Sequence, residues 1–235
     1  MYQQSSRMLL KQAAKIAQNK APHEFFAYLG KTNELLSTKS SAKTVAEFLE
    51  PDHLQTALAT RAAQLVMKVY KQLTDSKAPS KIKQNELFAI EVNKMTRVHL
   101  IYIMYEHARA NIEAKKIKCA NLKRSFYTIL ANFAIKQLQL DLSPLYECGF
   151  FGVGSADLVE EAYKQTLIDM RPQMIPLSEL CPEGYTPSTI GNYYGDIYEN
   201  QFETAQSSRL NTGVVPELIH THVKPVMKMC PPPKL

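Results

Sequence analysis

The chain has 235 residues, 45% of them hydrophobic and 21% charged, which is ordinary for a globular protein and enough to bury one sizeable core or two modest ones. No apolar run approaches the roughly 20 residues of a membrane span, and the N-terminal MYQQSSRMLLKQ lacks the apolar block of a secretory signal, so the sequence reads as soluble and intracellular. The net charge of +6 is uneven: residues 1–124 carry 21 Lys+Arg against 10 Asp+Glu, and residues 125–235 carry 7 against 12, which points to a nucleic acid, a phosphorylated ligand or another part of a larger molecule against the first part.

In chain order, residues 2–18 place Tyr2, Leu9, Ala13 and Ile16 on one helical face, and Ala21-Pro22 ends that helix. The polar stretch 30–43, GKTNELLSTKSSAK, reads as a linker. Asp52 can cap the helix HLQTALATRAAQLVMKVYKQL, whose alanines and leucines are strong helix formers, and SKAPSK breaks it. The longest helix runs from about Asn85 to Glu113, with Phe88, Val92, Met95, His99 and Tyr102 on one buried stripe. A further helix holds Leu122, Phe126, Ile129 and Phe133 in the same pattern, and the two are expected to pack together in an antiparallel bundle. Lys115, Lys116, Lys118 and Lys123 cluster where these helices meet and read as a solvated junction. Asp157 with Glu160 forms a candidate capping box for a helix that Pro172 ends or kinks. After Pro182 the texture turns to glycines and tyrosines, and a last helix is expected near 214–228. No period-2 run is long enough for a sheet, so the fold class is all-α.

Chemistry-bearing motifs are sparse. Cys119, Cys148, Cys181 and Cys230 lie far apart with no histidine at a metal-ligand interval, and read as free thiols. His220 and His222 fall on a helical segment, where i and i+2 diverge, so no metal site is expected. The sequence has no G-x-S-x-G elbow and no phosphate-binding G-x-x-x-x-G-K, and the glycines of GFFGVGS (149–155) mark only a turn. Glu91 and Glu106 are not i±3 or i±4 neighbours of His99, which therefore reads as a hydrogen-bonded histidine in a helix–helix seam rather than an acid/base catalyst.

The two ends of the chain carry a resemblance. Gln4, Ser5, Arg7, Leu9 and Lys11 are similar to the helix that follows the catalytic glutamate in peroxisomal acyl-CoA oxidases. Gly191, Tyr193, Gly195, Asp196, Ile197, Tyr198, Glu199, Asn200, Phe202, Leu210 and Asn211 resemble the closing pattern of the same family, and Val98, His99 and Tyr102 match its mid-domain helix. The resemblance covers essentially the whole chain. It implies the C-terminal part of an FAD-dependent enzyme that converts acyl-CoA and oxygen to trans-2-enoyl-CoA and hydrogen peroxide in fatty acid β-oxidation. It also implies a division into the end of a dehydrogenase-like helical domain with a linker (1–42), a C-terminal helical domain (43–229) and a tail (230–235).

Further expectations follow from that likeness. The family's catalytic glutamate and flavin-bearing β-domain precede the position of Met1, so no residue here takes the catalytic role and the chain alone is not expected to catalyse. Gln4 and Arg7 fall near FAD. Some nematode members bind ATP near this region, which makes Lys94, Arg97 and His99 the nucleotide-binding candidates. Gly191 and Gly195 permit sharp turns, while Tyr193, Tyr198 and Phe202, with Glu199 and Asn200, form a structural clamp. Pro233-Lys234-Leu235 is similar to the tripeptide read by the peroxisomal import receptor, with proline at the usually small first position. The implied partners are acyl-CoA and a second subunit, in a homodimer or with a full-length oxidase. A short regulatory module paired with such an oxidase is the alternative. Nucleic-acid binding has only charge behind it, with no stacking platform. A chain folded alone exposes the apolar surface that covers its enzyme's core, so self-association is expected.

Overall fold

The computed structural model describes residues 2–115, 117–174, 197–208, 211, 217 and 219–229, and among them it is an all-α antiparallel bundle with no strand. The chain falls into two units, residues 1–172 and 173–235. In the first, α1 (Tyr2–Ala17) buries Leu9 and Ala13, with Ile16 partly covered, as their spacing requires. A 3-10 segment, Glu24–Lys31, then buries Phe26, Tyr28 and Leu29. The stretch read as a linker carries α2 (Thr32–Ser37), which packs on the central helix with Thr32 buried. Its polarity misled because only one short face needs to be covered.

A capping box does exist, but elsewhere than predicted. Thr44 Oγ1 accepts from the Glu47 backbone N–H at 3.3 Å and Glu47 reaches back to the Thr44 N–H at 3.4 Å, starting α3 (Val45–Phe48). The centre of the unit is α4 (Pro51–Asp75), which begins with proline at its first turn after Glu50. Asp52 is therefore not the cap; its carboxylate lies inside the first turn, 2.6 Å from Arg109. Every residue from Ala57 to Ala63 is buried, so this stretch of α4 is covered all round, as its small residues permit. It packs against α1, α2, α3 and the helices that follow.

After Ser76, α5 (Ser80–Ile82) runs into a π-helical turn, Lys83–Leu87, and Phe88 breaks the spiral at φ −122°, ψ 26°. The long helix α6 (Ala89–Ala114) thus starts later than its periodicity suggested. Its stripe is as expected: Val92, Met95, His99 and Tyr102 are buried, with Phe88 partly so.

The next helix, α7 (Ala120–Gln139), corrects the sequence reading. Its core face is Leu130, Ala131, Ala134, Ile135 and Leu138, while Phe126, Ile129 and Phe133 are only partly covered and Leu122 is exposed. Both faces are apolar, and periodicity alone selected the wrong one. A short α8 (Ser143–Glu147) and a turn lead to α9 (Ser155–Met170), whose N-cap is Gly154 at φ +85°, a left-handed conformation that glycine adopts without strain. Asp157 and Glu160 make no capping box; Glu160 pairs with Lys164 at 2.7 Å. A 3-10 turn, Arg171–Gln173, contains Pro172 where the helix was expected to stop.

In the second unit, α10 (Ile197–Ser207) has no buried residue, and a π-helical turn, Ile219–Val223, leads into α11 (Lys224–Met229). Gly191, Tyr193, Gly195 and the terminal Pro233-Lys234-Leu235 lie outside the described residues. Among the described residues no helix is long and apolar enough to cross a membrane.

One buried charge joins the three long helices. Arg61 on α4 is 1% exposed, and its Nη1 donates to the Gln137 carbonyl at 2.5 Å in the last turn of α7 and, at 3.5 Å, to that of Asp141. Lys94 of α6 pairs with the Asp141 carboxylate. Burial lowers the Arg61 guanidinium to about 10, which Asp141 opposes and Arg97 reinforces. Arg61→Ala leaves a cavity and an uncapped helix end, and is expected to lower unfolding free energy by roughly 3–5 kcal/mol. Arg61→Met, which keeps the volume, should cost about 1–2 kcal/mol. Urea unfolding decides: equal losses in the two variants would mean that the side chain acts through its charge alone.

Candidate functional site

Packing of α1 against α6 sets up the first concavity. Ser6 is buried on α1, one residue from the exposed Arg7, and the π-helical turn opposite brings Gln84 and Asn85 to the same rim, with Asn93 one turn into α6. Its volume is about 130 Å³. π-Turns widen a helix by one residue and recur at functional sites; here the widened turn faces two carboxamides toward a guanidinium. Such a set offers a planar fork of donors with adaptable amides beside it, which suits a phosphate or a ring carbonyl. Gln4 is exposed on the same helix, one turn before Arg7, and does not line this concavity. Along the exposed side of α1, Arg7, Lys11 and Lys15 follow one another at four-residue intervals, and the helix contains no acidic residue.

Of the three nucleotide-binding candidates, Lys94 and Arg97 lie one turn apart on the exposed side of α6, and His99 is turned away from them into the core. Lys94 is paired with Asp141, where burial raises the carboxyl but hydrogen bonds from Lys94 and Ser143 outweigh it and hold it below the usual carboxylate range. Arg97 is exposed, whereas His99 is 5% exposed on the core side of α6. His99 stacks on Phe26 at 5.0 Å between ring centroids and shares a 2.9 Å hydrogen bond, through Nδ1, with the Tyr28 hydroxyl. Burial drives the imidazole down to about 4 and the Tyr28 phenol well above its ordinary value, so both are neutral at pH 7. The seam histidine of the sequence reading is what the geometry shows.

A second concavity lies between α6 and α7, an apolar groove of about 360 Å³ with Met104 and Ile112 on one side and Phe126, Ile129 and Phe133 on the other. Its only signal in the sequence was the stripe that had been read as core. Of the clamp residues, Tyr198, Glu199, Asn200 and Phe202 lie on α10.

The sequence profile of the acyl-CoA oxidases matches residues 50–228. The chain belongs to the acyl-CoA oxidase family. Over 96% of its length it is 23% identical to peroxisomal acyl-coenzyme A oxidase 1 of Arabidopsis thaliana and 26% identical to that of Cavia porcellus. Among solved acyl-CoA oxidase structures, the Arabidopsis enzyme superposes with a TM-score of 0.78 at 23% identity over 95% of this chain. A Caenorhabditis elegans oxidase complexed with FAD and ATP gives 0.72 at 23% identity over 97%. The chain spans only about a third of these oxidases, 34% and 35% of the two curated relatives and of the two structures alike.

The buried histidine of this oxidase-family chain gives a pH test. The folded imidazole titrates near 4 and the unfolded one near 6.5, so the unfolded state binds the extra proton. The His99 contribution is therefore complete above pH 6.5 and lost as pH falls toward 4, by about 3 kcal/mol at most. His53, also lowered by burial, acts with the same sign. Urea midpoints measured from pH 7 to 4.5 should decline less steeply in His99→Phe than in the parent chain, and identical slopes would rule the assignment out.

Proposed function

We propose that this chain is the C-terminal helical part of a peroxisomal, FAD-dependent acyl-CoA oxidase, with residues 1–42 closing a dehydrogenase-like domain, 43–229 forming the C-terminal domain and Pro233-Lys234-Leu235 serving as the import address. The family match across residues 50–228 is the observation that carries the reading. The relatives' peroxisomal names support the compartment.

The residues around Arg7 suit FAD by the chemistry of their donors. A guanidinium and three carboxamides, from Gln84, Asn85 and Asn93, can hold a diphosphate or a ring carbonyl without requiring a buried countercharge. Bound FAD supplies the hydride acceptor for the oxidation of acyl-CoA and passes the electrons to oxygen. The part played by this chain is to bind and to cover: Arg7 neutralises phosphate charge, the amides fix orientation, and the helical body keeps water from the reacting face. The glutamate that removes the α-proton belongs to the segment that precedes this one in the family pattern. The exposed α6–α7 groove supports a second reading, in which the chain is a dimerisation module that pairs with a full-length oxidase.

The purified chain is expected to be colourless and to release no peroxide from a long-chain acyl-CoA. Supplying the remaining domains in trans should restore both colour and turnover, and Arg7→Ala should then weaken FAD retention about tenfold, the worth of one charge-assisted hydrogen bond. Bound flavin with turnover by the chain alone would place a base within these residues and overturn the proposal. Stable co-purification with an intact oxidase, without restored activity, would select the module reading.

A further inference from the structure

A third concavity opens where α4, α6, α7 and α9 meet, and it shares no lining residue with the Arg7 site or the α6–α7 groove. Leu54 comes from α4, Tyr105 from α6, Arg124 and Ala131 from α7, and Thr166 and Asp169 from α9. Its volume is about 140 Å³, the scale on which a protein cavity accepts a benzene-sized molecule.

The floor offers a ligand mainly apolar surface, because its hydroxyls are used within the protein. Tyr105 donates to the Pro51 carbonyl at 3.1 Å and Thr128 to the Arg124 carbonyl at 3.1 Å, while Thr166 donates to the Tyr163 carbonyl at 2.7 Å and accepts from Asn132 at 3.0 Å. Leu54, Tyr105, Ala131 and Thr166 are all buried. Polar recognition is left to the two charged residues that line the concavity, Arg124 and Asp169. They stand on different helices and do not pair with each other. Among the described residues the Arg124 guanidinium has no ion pair or hydrogen bond, and the Asp169 carboxylate accepts only from Gln165, at 2.9 Å. The charges nearby are already matched, since Arg109 holds both Asp52 and Glu113.

A guanidinium and a carboxylate without ionic partners, set over one apolar floor, select against a ligand with a single charge. A carboxylate that meets Arg124 is repelled by Asp169, and an ammonium that meets Asp169 is repelled by Arg124. A ligand that carries both charges side by side at the head of an aliphatic tail satisfies the two walls and the floor together. We propose that this concavity binds a free α-amino acid with a branched aliphatic side chain, its carboxylate on the Arg124 fork, its ammonium on Asp169 and its side chain against Leu54, Tyr105 and Ala131. Bound there it ties α7 to α9 beside the start of α4, so occupancy stabilises the helical unit by mass action. The site makes no use of the flavin and does not depend on the oxidase reading.

Isothermal titration calorimetry on the full-length chain tests it, with L-leucine as the probe against three analogues that each lack one element: 4-methylpentanoate has no ammonium, isopentylamine no carboxylate and glycine no tail. Leucine is expected to bind about tenfold tighter than each of the three. Arg124→Gln should weaken leucine about tenfold and improve isopentylamine, whereas Asp169→Asn should weaken leucine to the same extent and improve 4-methylpentanoate. That exchange of preference locates the ligand at these two side chains, and a general loss of structure does not produce it. The analogue series on the parent chain decides the matter even if a variant fails to fold. Absence of heat with leucine at millimolar concentration, equal binding of leucine and its singly charged analogues, or leucine binding unchanged in both variants overturns the proposal.

Discussion

The fold depends on a cation held where there is almost no water. Arg61 occupies the stretch of α4 that is buried all round, and its guanidinium is directed at the carbonyl end of α7, where unpaired C=O groups concentrate negative potential. Desolvating a guanidinium is costly, and the Gln137 and Asp141 carbonyls with a carboxylate nearby offset that cost only in part. What the arrangement supplies is registration: α4, α6 and α7 can meet in one way that brings Arg61, Lys94 and Asp141 to the same place. The α6 helix is fixed at its other end by Arg109, which reaches Asp52 and Gln55 near the start of α4, and by the Tyr105 hydroxyl on the Pro51 carbonyl at 3.1 Å. The α6–α7 groove inherits its shape from these contacts.

Much of this was legible from residue spacing. Helix type and order follow from the apolar periodicity, and the stripe from Phe88 to Tyr102 was read on the correct face because only one face of α6 is apolar there. The reading of α7 failed for the converse reason: with apolar residues on both sides, periodicity gives two solutions, and only the neighbours choose between them. Asp52 was taken as a cap because aspartate commonly caps, but Pro51 already satisfies the geometry of the first helical turn and releases the carboxylate to meet Arg109. Arg61 left no trace in the sequence, since a lone arginine among alanines looks the same whether it is buried or exposed.

The site was legible to a lesser degree. Resemblance pointed to Arg7, yet Gln84, Asn85 and Asn93 join it only because a π-turn adds a residue before α6, and no propensity scale anticipates that insertion. His99 shows the opposite relation. Its place on a buried stripe identified it as a seam residue, and stacking on Phe26 with the Tyr28 hydrogen bond accounts for every polar demand that the structure shows for it. Where likeness and spacing disagreed about this histidine, spacing described the environment and likeness described only the neighbourhood.

The two-faced character of α7 reaches beyond association. A copy whose groove stands open displays the partly covered Phe126, Ile129 and Phe133 to solvent, and surfaces of that kind are what holdase chaperones grip. An open groove therefore leaves a newly made chain liable to capture, and a filled one removes that liability.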